Sequence, residues 1–207
     1  MKVNNTKKRT QSGFTLIEMI GVLAVIAILA AVLIPKIFEA INNSRVNNAA
    51  MSCQTVKTGI ADHYAKFGSL TSSNGITIAA GTGELLNFDR VLVSEGFIDK
   101  PFAVKISAAT TNHAEVAVAL SAVTAPDAAN AAYNLDGTGP VNDATGSAVA
   151  QCIIYGVNDN DAKEFNDRVD GPALGVGLGA ADLVGRVKYD AVGVDGITDV
   201  YVYLTHR

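Results

Sequence analysis

The sequence predicts an α+β protein in which one long N-terminal helix packs on an antiparallel β-sheet head. Three observations support this fold class. A long apolar run extends from Phe14 to Ile34, apolar residues then recur at helical spacing as far as Phe67, and the C-terminal half contains segments of alternating hydrophobicity. Helical and two-residue periodicities that occupy separate parts of a chain indicate segregated helix and sheet layers.

The apolar run has the length of a single membrane span. Of the 21 residues from Phe14 to Ile34, 18 are apolar and only Glu18 is charged. A helix of this length rises about 31 Å, close to the thickness of a hydrocarbon core. The run is too long for an ordinary secretory signal. A carboxylate inside it costs about 2.5 to 3.5 kcal/mol, so Glu18 requires a partner or a function.

The helix is predicted to continue beyond the apolar run. Apolar residues recur every three to five positions and define one helical face, whereas Asn43, Asn47, Gln54 and Asp62 are polar. That face comprises Ile37, Ile41, Val46, Ala49, Cys53, Val56, Ile60, Tyr64 and Phe67. One helix from Phe14 to about Phe67 would be roughly 80 Å long, and Gly68 is a plausible end. Pro35 predicts a kink, or a locally melted turn between Gly21 and Pro35.

The remainder of the chain predicts a short helix followed by strands. Residues 84–97 favour a helix that ends at Gly96. Ala122 to Ala150 lacks periodicity and predicts a long surface excursion. Alternation predicts five strands, namely Ala103–Ser107, Glu115–Ser121, Ala150–Val157, Gly185–Asp190 and Asp199–Thr205.

Charge separates the first thirteen residues from the rest. Lys2, Lys7, Lys8 and Arg9 form a basic leader, and the chain from Phe14 onward carries 12 basic against 20 acidic residues, a net charge near -8. This acidic balance argues against broad nucleic-acid binding, which requires Lys and Arg to neutralise phosphates. A basic flank before the apolar run predicts that the N-terminus stays cytoplasmic and that the C-terminal bulk is exported.

Gly13, Phe14 and Glu18 together resemble the prepilin signature of the type IV pilin superfamily. A basic leader ends at Gly13, an aromatic residue follows it, and an acid occupies the fifth position after the junction. The resemblance implies cleavage after Gly13 by a prepilin peptidase and N-methylation of Phe14. It also implies that Glu18 neutralises the new amine, first within its own chain and then on a neighbouring subunit.

The resemblance also implies a domain plan with a pilin-like lollipop shape. Residues 1–13 form the cleaved leader, 14–35 the transmembrane and filament-core half of the helix, 36–67 the amphipathic half, and 68–207 the head. The implied protein is a structural filament subunit rather than an enzyme. It has no cofactor and assembles as a homo-oligomer through a platform protein and an ATPase.

Three functions are open at this stage. A type IV pilus subunit would wait in the inner membrane before it joins an extracellular filament that serves adhesion, motility or DNA uptake. The alternatives are a type II secretion pseudopilin and a membrane-anchored binding module. A plain single-pass anchor gives no reason for Glu18 four residues after the junction.

Cys53 and Cys152 fall on the predicted helix face and in a predicted core strand. If that strand crosses the helix, an exported chain can join them in a disulfide that closes a loop of nearly 100 residues. Such a loop gives a stabilisation of up to about 4.7 kcal/mol in the chain-entropy model. The alternative is a pair of buried free thiols that pack as small hydrophobic groups.

Other motifs do not predict a catalytic, nucleotide or metal site. Gly175 to Ala180 matches the spacing of a dinucleotide-binding loop, but no strand leads into it. His63, His113 and His206 are scattered, without a metal-binding pattern. Two acidic clusters are predicted in loops, where they favour solvated turns over calcium binding. These clusters are Asp159, Asp161 and Glu164, and Asp190, Asp195 and Asp199.

Overall fold

The computed structural model describes residues 13–70, 72–73, 76–77, 84–107, 114–122, 124–139 and 141–207. The predicted leader and His113 therefore lie outside the described residues, apart from Gly13. The chain divides into two compact units, one ending at Ile41 and the other spanning Asn42–Arg207. Helix α1, Leu16–Phe67, contributes to both units, in agreement with the predicted long helix.

The described elements form an α+β fold. They are α1 (Leu16–Phe67), β1 (Ser72–Ser73), β2 (Ile76–Thr77), β3 (Glu84–Leu85), α2 (Phe88–Ser94), β4 (Ala114–Leu120), β5 (Ala148–Asn158), α3 (Asp159–Val169), β6 (Val187–Tyr189) and β7 (Ile197–His206). Strands β1 and β2 pair separately. The main sheet is antiparallel and has the order β3-β4-β5-β7-β6. The predicted fold class is confirmed.

The C-terminal part of α1 buries its predicted apolar face against this sheet. Val46, Ala49, Cys53, Val56 and Ile60 are all nearly inaccessible to solvent. They share one core with alternate side chains of β4, β5, β6 and β7 and with residues of α2 and α3. Each fully buried aliphatic side chain contributes about 1.5 to 3 kcal/mol of transfer free energy, so this cluster is the main source of stability.

The end of α1 is set by Gly68, as predicted. Gly68 has φ 70° and its N–H donates to the Tyr64 carbonyl at 2.8 Å. A residue without Cβ adopts this left-handed conformation at little cost and satisfies one of the free carbonyls at the helix end.

Two predictions of secondary structure need correction. The helix expected over residues 84–97 is only Phe88–Ser94, because Asn87 adopts φ 57° and Glu84–Leu85 pair with β4. Ala103–Ser107 is not a strand: its one ladder contact is an isolated bridge between Ser107 and Val157.

The acidic cluster of Asp159, Asp161 and Glu164 is helical, not part of a loop. Acidic residues in the first turn of a helix are stabilised by the partial positive charge at its N-terminus. Asp161 is also close to Asn42, with 2.5 Å between Nδ2 and Oδ1.

The Ala122 to Ala150 excursion is not simply a surface loop. Ala131, Tyr133, Ala144 and Val149 form a second, smaller core, and Tyr203 packs against it. β5 is consequently buried on both faces over most of its length. Its sequence offered no periodicity because these residues are placed by turns and hydrogen bonds rather than by a repeating element.

Candidate assembly site in the N-terminal helix

The junction between Gly13 and Phe14 lies immediately before α1. Gly13, Phe14 and Thr15 are exposed and precede the first helical residue, Leu16. A Cβ built on Gly13 would meet no other atom within 4 Å. The peptide bond that is predicted to be cleaved is therefore in an accessible, non-helical segment.

Glu18 and Thr15 form a capping box at the start of the helix. The backbone N–H and the hydroxyl of Thr15 donate to Glu18 Oε2 at 2.8 and 2.7 Å, and the Glu18 N–H donates to Thr15 Oγ1 at 3.3 Å. Reciprocal bonds of this kind satisfy N–H groups that the first helical turn leaves free. The Thr-x-x-Glu spacing of Thr15 and Glu18 is the sequence signal that predicts this cap.

The capping box gives Glu18 a structural role in the chain that still carries residues 1–13. It also holds the carboxylate beside the residue that would become the second of the cleaved chain. A new amine on Phe14 would be next to this carboxylate, and burial of both charges together costs less than burial of either alone. The Glu18 carboxylate therefore caps the helix before the predicted cleavage and would pair with the new amine after it.

The apolar run is exposed in the isolated chain, except that Ala30 is half-buried. Among the described residues, α1 is the one helix that is long and apolar enough to span a membrane. No residue of its most apolar window is buried. Phe14 and Leu16 are each 77% exposed. Monomeric soluble proteins rarely leave so large a continuous apolar surface uncovered, which marks the segment for lipid or protein contact.

Pro35 lies inside α1, and residues 21–35 are helical without interruption. The locally melted turn that was expected between Gly21 and Pro35 is absent from this structure. A proline removes a single backbone hydrogen bond, and the intact turns on either side keep the helix continuous. The kink at Pro35 stays a prediction.

Cys53 and Cys152 meet in the main core, as their predicted positions allowed. Both are buried, and both are free thiols in the structure. Burial raises the pKa of the Cys152 thiol well above its ordinary value, and a hydrogen bond with Cys53 raises it further. Such thiols pack as small hydrophobic groups, which was the alternative to a disulfide. The disulfide stays a prediction.

The remaining candidate residues have structural partners. His63 is buried, and its Nδ1 lies 2.6 Å from Glu95 Oε2. His206 Nδ1 lies 2.5 Å from the Tyr203 hydroxyl. Within the described part of the chain, no group of three His, Cys, Asp or Glu side chains is placed to hold a metal ion.

The second acidic cluster and the glycine-rich motif lie in irregular segments, except that Asp199 is in β7 rather than in a loop. Asp199, in the second acidic cluster, accepts a hydrogen bond from the Gly156 N–H at 2.8 Å. The glycines at 175, 177 and 179 lie between α3 and β6 rather than after a strand. The arrangement required of a dinucleotide-binding loop is therefore missing.

Comparison with known proteins points to the same segment. Residues 8–34 match the prokaryotic N-terminal methylation motif. A fimbrial protein of Neisseria meningitidis is 34% identical over 64 residues, 31% of this chain and 38% of that protein. The type IV major pilin protein PilE1 of Neisseria gonorrhoeae is 29% identical over 75 residues, 36% of this chain and 35% of that protein.

A more extended match is the fimbrial protein EcpC of Eikenella corrodens. It is 32% identical over 80 residues, 39% of this chain and 50% of that protein. The chain thus spans between about a third and half of the length of the curated relatives that it matches. No solved structure matches. The N-terminal methylation motif and the similarity to these fimbrial and pilin proteins support the type IV pilin superfamily.

Proposed function

We propose that this chain is the structural subunit of a type IV pilus, exported as a prepilin and assembled through its apolar N-terminal helix. The observation that carries the proposal is the prepilin-like sequence at Gly13 and Phe14, followed by an apolar helix with no buried residue in its most apolar window and one carboxylate at Glu18. The role is architectural, not enzymatic. The named relatives are fimbrial and pilin proteins, which favours a pilus over a secretion pseudopilus.

The proposed pathway begins in the inner membrane with the N-terminus in the cytoplasm. A prepilin peptidase cuts after Gly13, and the new amine of Phe14 is methylated. An assembly ATPase and a platform protein then transfer the subunit from lipid to a filament on the cell surface. Lipid and neighbouring helices are equally apolar, so apolar burial alone does not favour the filament over the membrane. Close packing between helices and the Glu18 charge therefore determine how strongly the subunit prefers the filament.

The proposal is tested by intact mass and N-terminal sequencing of a sheared cell-surface fraction. The expected protein begins with methylated Phe14 and is abundant in that fraction. Its mass also reports whether Cys53 and Cys152 have lost two hydrogens to a disulfide. An uncut protein that stays in the membrane would contradict the proposal and support a membrane-anchored module. A cut protein absent from the sheared fraction would favour a pseudopilin.

Gly13→Glu tests the cleavage assignment. A bulky acid at this position cannot enter a site shaped for a residue without a side chain, so the variant should keep its leader and run as the longer species on a gel. Processing of the variant at the wild-type rate would contradict the assignment.

Glu18 variants separate capping from charge pairing. Glu18→Gln keeps an acceptor that can complete the capping box but removes the charge. If the charge selects the assembled state, both Glu18→Gln and Glu18→Ala should be processed yet reduce sheared filaments about ten-fold, the effect of about 1.4 kcal/mol. Asp62→Ala, which removes an exposed acid further along α1, is the control and should assemble normally. Normal assembly of Glu18→Gln would leave capping as the only role.

A further inference from the structure

A groove of 510 Å³ lies between the C-terminal part of α1 and the segment that follows α2. Asn48, Met51 and Thr55 form its helical wall, and residues 97–103 form the other. Met51 is 67% exposed there although it belongs to the head unit. A flexible, polarisable side chain adapts well to an apolar partner of another shape.

The wall opposite α1 is held in place by buried contacts. Phe102 is buried, and its N–H donates to Asp89 Oδ2 at 3.0 Å. Next to it, Ile98 approaches α1 so closely that a Cβ on Gly59 would lie 2.7 Å from Ile98 Cγ2. The groove is therefore preformed, and an occupant would not have to order it.

The groove lining also carries exposed charge. Asp99 and Lys100 line the groove and are both exposed. In the described part of the chain neither of them forms a salt bridge. An apolar floor beside unpaired charges is suited to an apolar side chain that has an ionised neighbour.

The same chain supplies a segment with these features. Phe38 is 67% exposed, and Ile37 and Ile41 are also exposed. These residues lie beyond the apolar run, and Lys36 and Glu39 flank Phe38 as an exposed ion pair at 3.0 Å. Because charged side chains mark the end of a membrane-spanning stretch, lipid does not account for the exposure of Phe38.

Helical geometry places a charge beside the aromatic ring. Successive residues are 100° apart around an α-helix, so Glu39 lies on one flank of Phe38 and Ile41 on the other. If Phe38 entered the groove, Glu39 and Ile41 would lie on opposite sides of the ring. Lys100 is the cation in the groove lining that is available to Glu39.

We propose that Phe38 of one subunit occupies the groove between Met51 and residues 97–103 of a neighbouring copy, with Glu39 opposite Lys100. The inference rests on the proposed filament function and adds a specific contact to it, between a helix segment outside the membrane span and the head of another subunit. Burial of Phe38 supplies affinity, and the charge pair selects the register.

Crosslinking of assembled filaments tests this contact. In full-length protein, Phe38→Cys combined with Met51→Cys should give a ladder of covalent oligomers when sheared filaments are treated with a short thiol crosslinker. Phe38→Cys combined with Ala61→Cys is the matched control, because Ala61 is exposed on α1 ten residues beyond Met51. The single variants and the wild type, whose own cysteines are buried, should give no ladder.

The outcomes distinguish this inference from the proposed function. Abundant filaments that give no ladder with the Phe38–Met51 pair, or an equal ladder with the Ala61 control, would overturn the inference and leave the pilus function intact. Wild-type cells without sheared filaments would remove the proposed function, and this inference with it.

A charge exchange covers the case in which the cysteine variants do not assemble. Glu39→Lys and Lys100→Glu should each lower the yield of sheared filaments several-fold, and the double variant should recover most of the wild-type yield. Two losses that add in the double variant, with no recovery, would contradict the contact between these residues.

Discussion

The two faces of the main sheet are covered in different ways. One face packs against α1 through a continuous apolar core that includes Ile60, Val116, Cys152 and Val202. The other face is covered by the Ala122 to Ala150 excursion, whose apolar cluster is small and centred on Tyr133. Hydrogen bonds and one buried cation supplement this second core.

The buried cation is Lys188 on β6. Its Nζ donates to the carbonyls of Asp127, Asn130 and Ala132 at 2.6, 2.8 and 2.7 Å, and lies 4.0 Å from the centre of the Tyr133 ring. A single side chain thus joins the sheet to three points of an irregular segment. The comparison shows that a regular element can be held by apolar area alone, whereas a segment without periodicity needs directional bonds to fix its path.

Ile60→Ala tests the apolar face and should have the largest effect. Ile60 is fully buried in the main core. Truncation should lower the free energy of unfolding by about 2 to 5 kcal/mol, through lost transfer energy and the cavity left behind. The measurement is denaturant unfolding of the full chain in detergent, followed by the tyrosine signal of the head.

Ile26→Ala is the matched control for Ile60→Ala. It removes the same atoms from the same helix at an exposed position outside the head unit. Its unfolding midpoint should equal that of the wild type. Equal losses for the two variants would show that burial against the sheet is not what Ile60 contributes.

Sequence patterns anticipated the first face more fully than the second. The steps of three to five between Val46 and Ile60 predicted which side of α1 is buried, because a helix repeats regularly. Two-residue alternation likewise located β4, β5, β6 and β7 to within three residues at each end. Lys188 was not anticipated, since an isolated lysine in a short strand gives no indication that three distant carbonyls will surround it.

In the candidate site and the groove, too, some features could be predicted from the sequence and others needed the folded structure. The positions of Gly13, Phe14 and Glu18 could be interpreted from sequence, because length, charge and spacing along one helix are local properties. The contact of Cys53 with Cys152 required the topology of the sheet. The groove beside Met51 could not be predicted, because it depends on how the residues after α2 lie against α1.

Lys188→Met tests the polar face. Methionine retains an unbranched apolar side chain but removes all three donors to buried or partly buried carbonyls. Below pH 7, where Lys188 is charged, bonds from charged groups are worth about 1.5 to 3 kcal/mol each and are not additive, so we expect a loss of about 2 to 3 kcal/mol there. Lys105→Met removes an exposed lysine and should be neutral. A neutral Lys188→Met would show that Lys188 does not hold the excursion in place.

The pH dependence of stability tests the charge state of the same lysine. Burial lowers the pKa of Lys188 to about 7, although Asp127 and Asp190 raise it in part. The unfolded value is about 10.4, so between these values the unfolded chain binds more protons than the folded chain. The contribution of Lys188 to the free energy of unfolding should therefore rise between pH 7.5 and 9.5, by at most about 1.4 kcal/mol per pH unit. Cys152, whose pKa is raised by burial, contributes a slope of the opposite sign above about pH 8.5 in wild type and variant alike.

Lys188→Met should lack this contribution. The test is the difference between the pH slopes of the free energy of unfolding in wild type and variant, measured below pH 10. Burial raises the pKa of Tyr189 to about 12 in the folded chain, so tyrosine ionisation in the unfolded chain adds an opposite slope above pH 10. Parallel slopes would mean that the three carbonyls keep Lys188 charged throughout the range.

Tyr133→Phe gives the smallest expected effect and separates the ring from the hydroxyl. The hydroxyl donates to Gln151 Oε1 at 2.8 Å on the second face of the sheet, while the ring packs on Tyr203 and beneath Lys188. Phenylalanine keeps both ring contacts, so only the bond is lost, at about 1 kcal/mol. Tyr203→Phe is the matched control, because its hydroxyl is close to His206 near the chain end. Equal losses of unfolding free energy for Tyr133→Phe and Lys188→Met would show that the hydroxyl stabilises the contact between the excursion and the sheet as much as the lysine does.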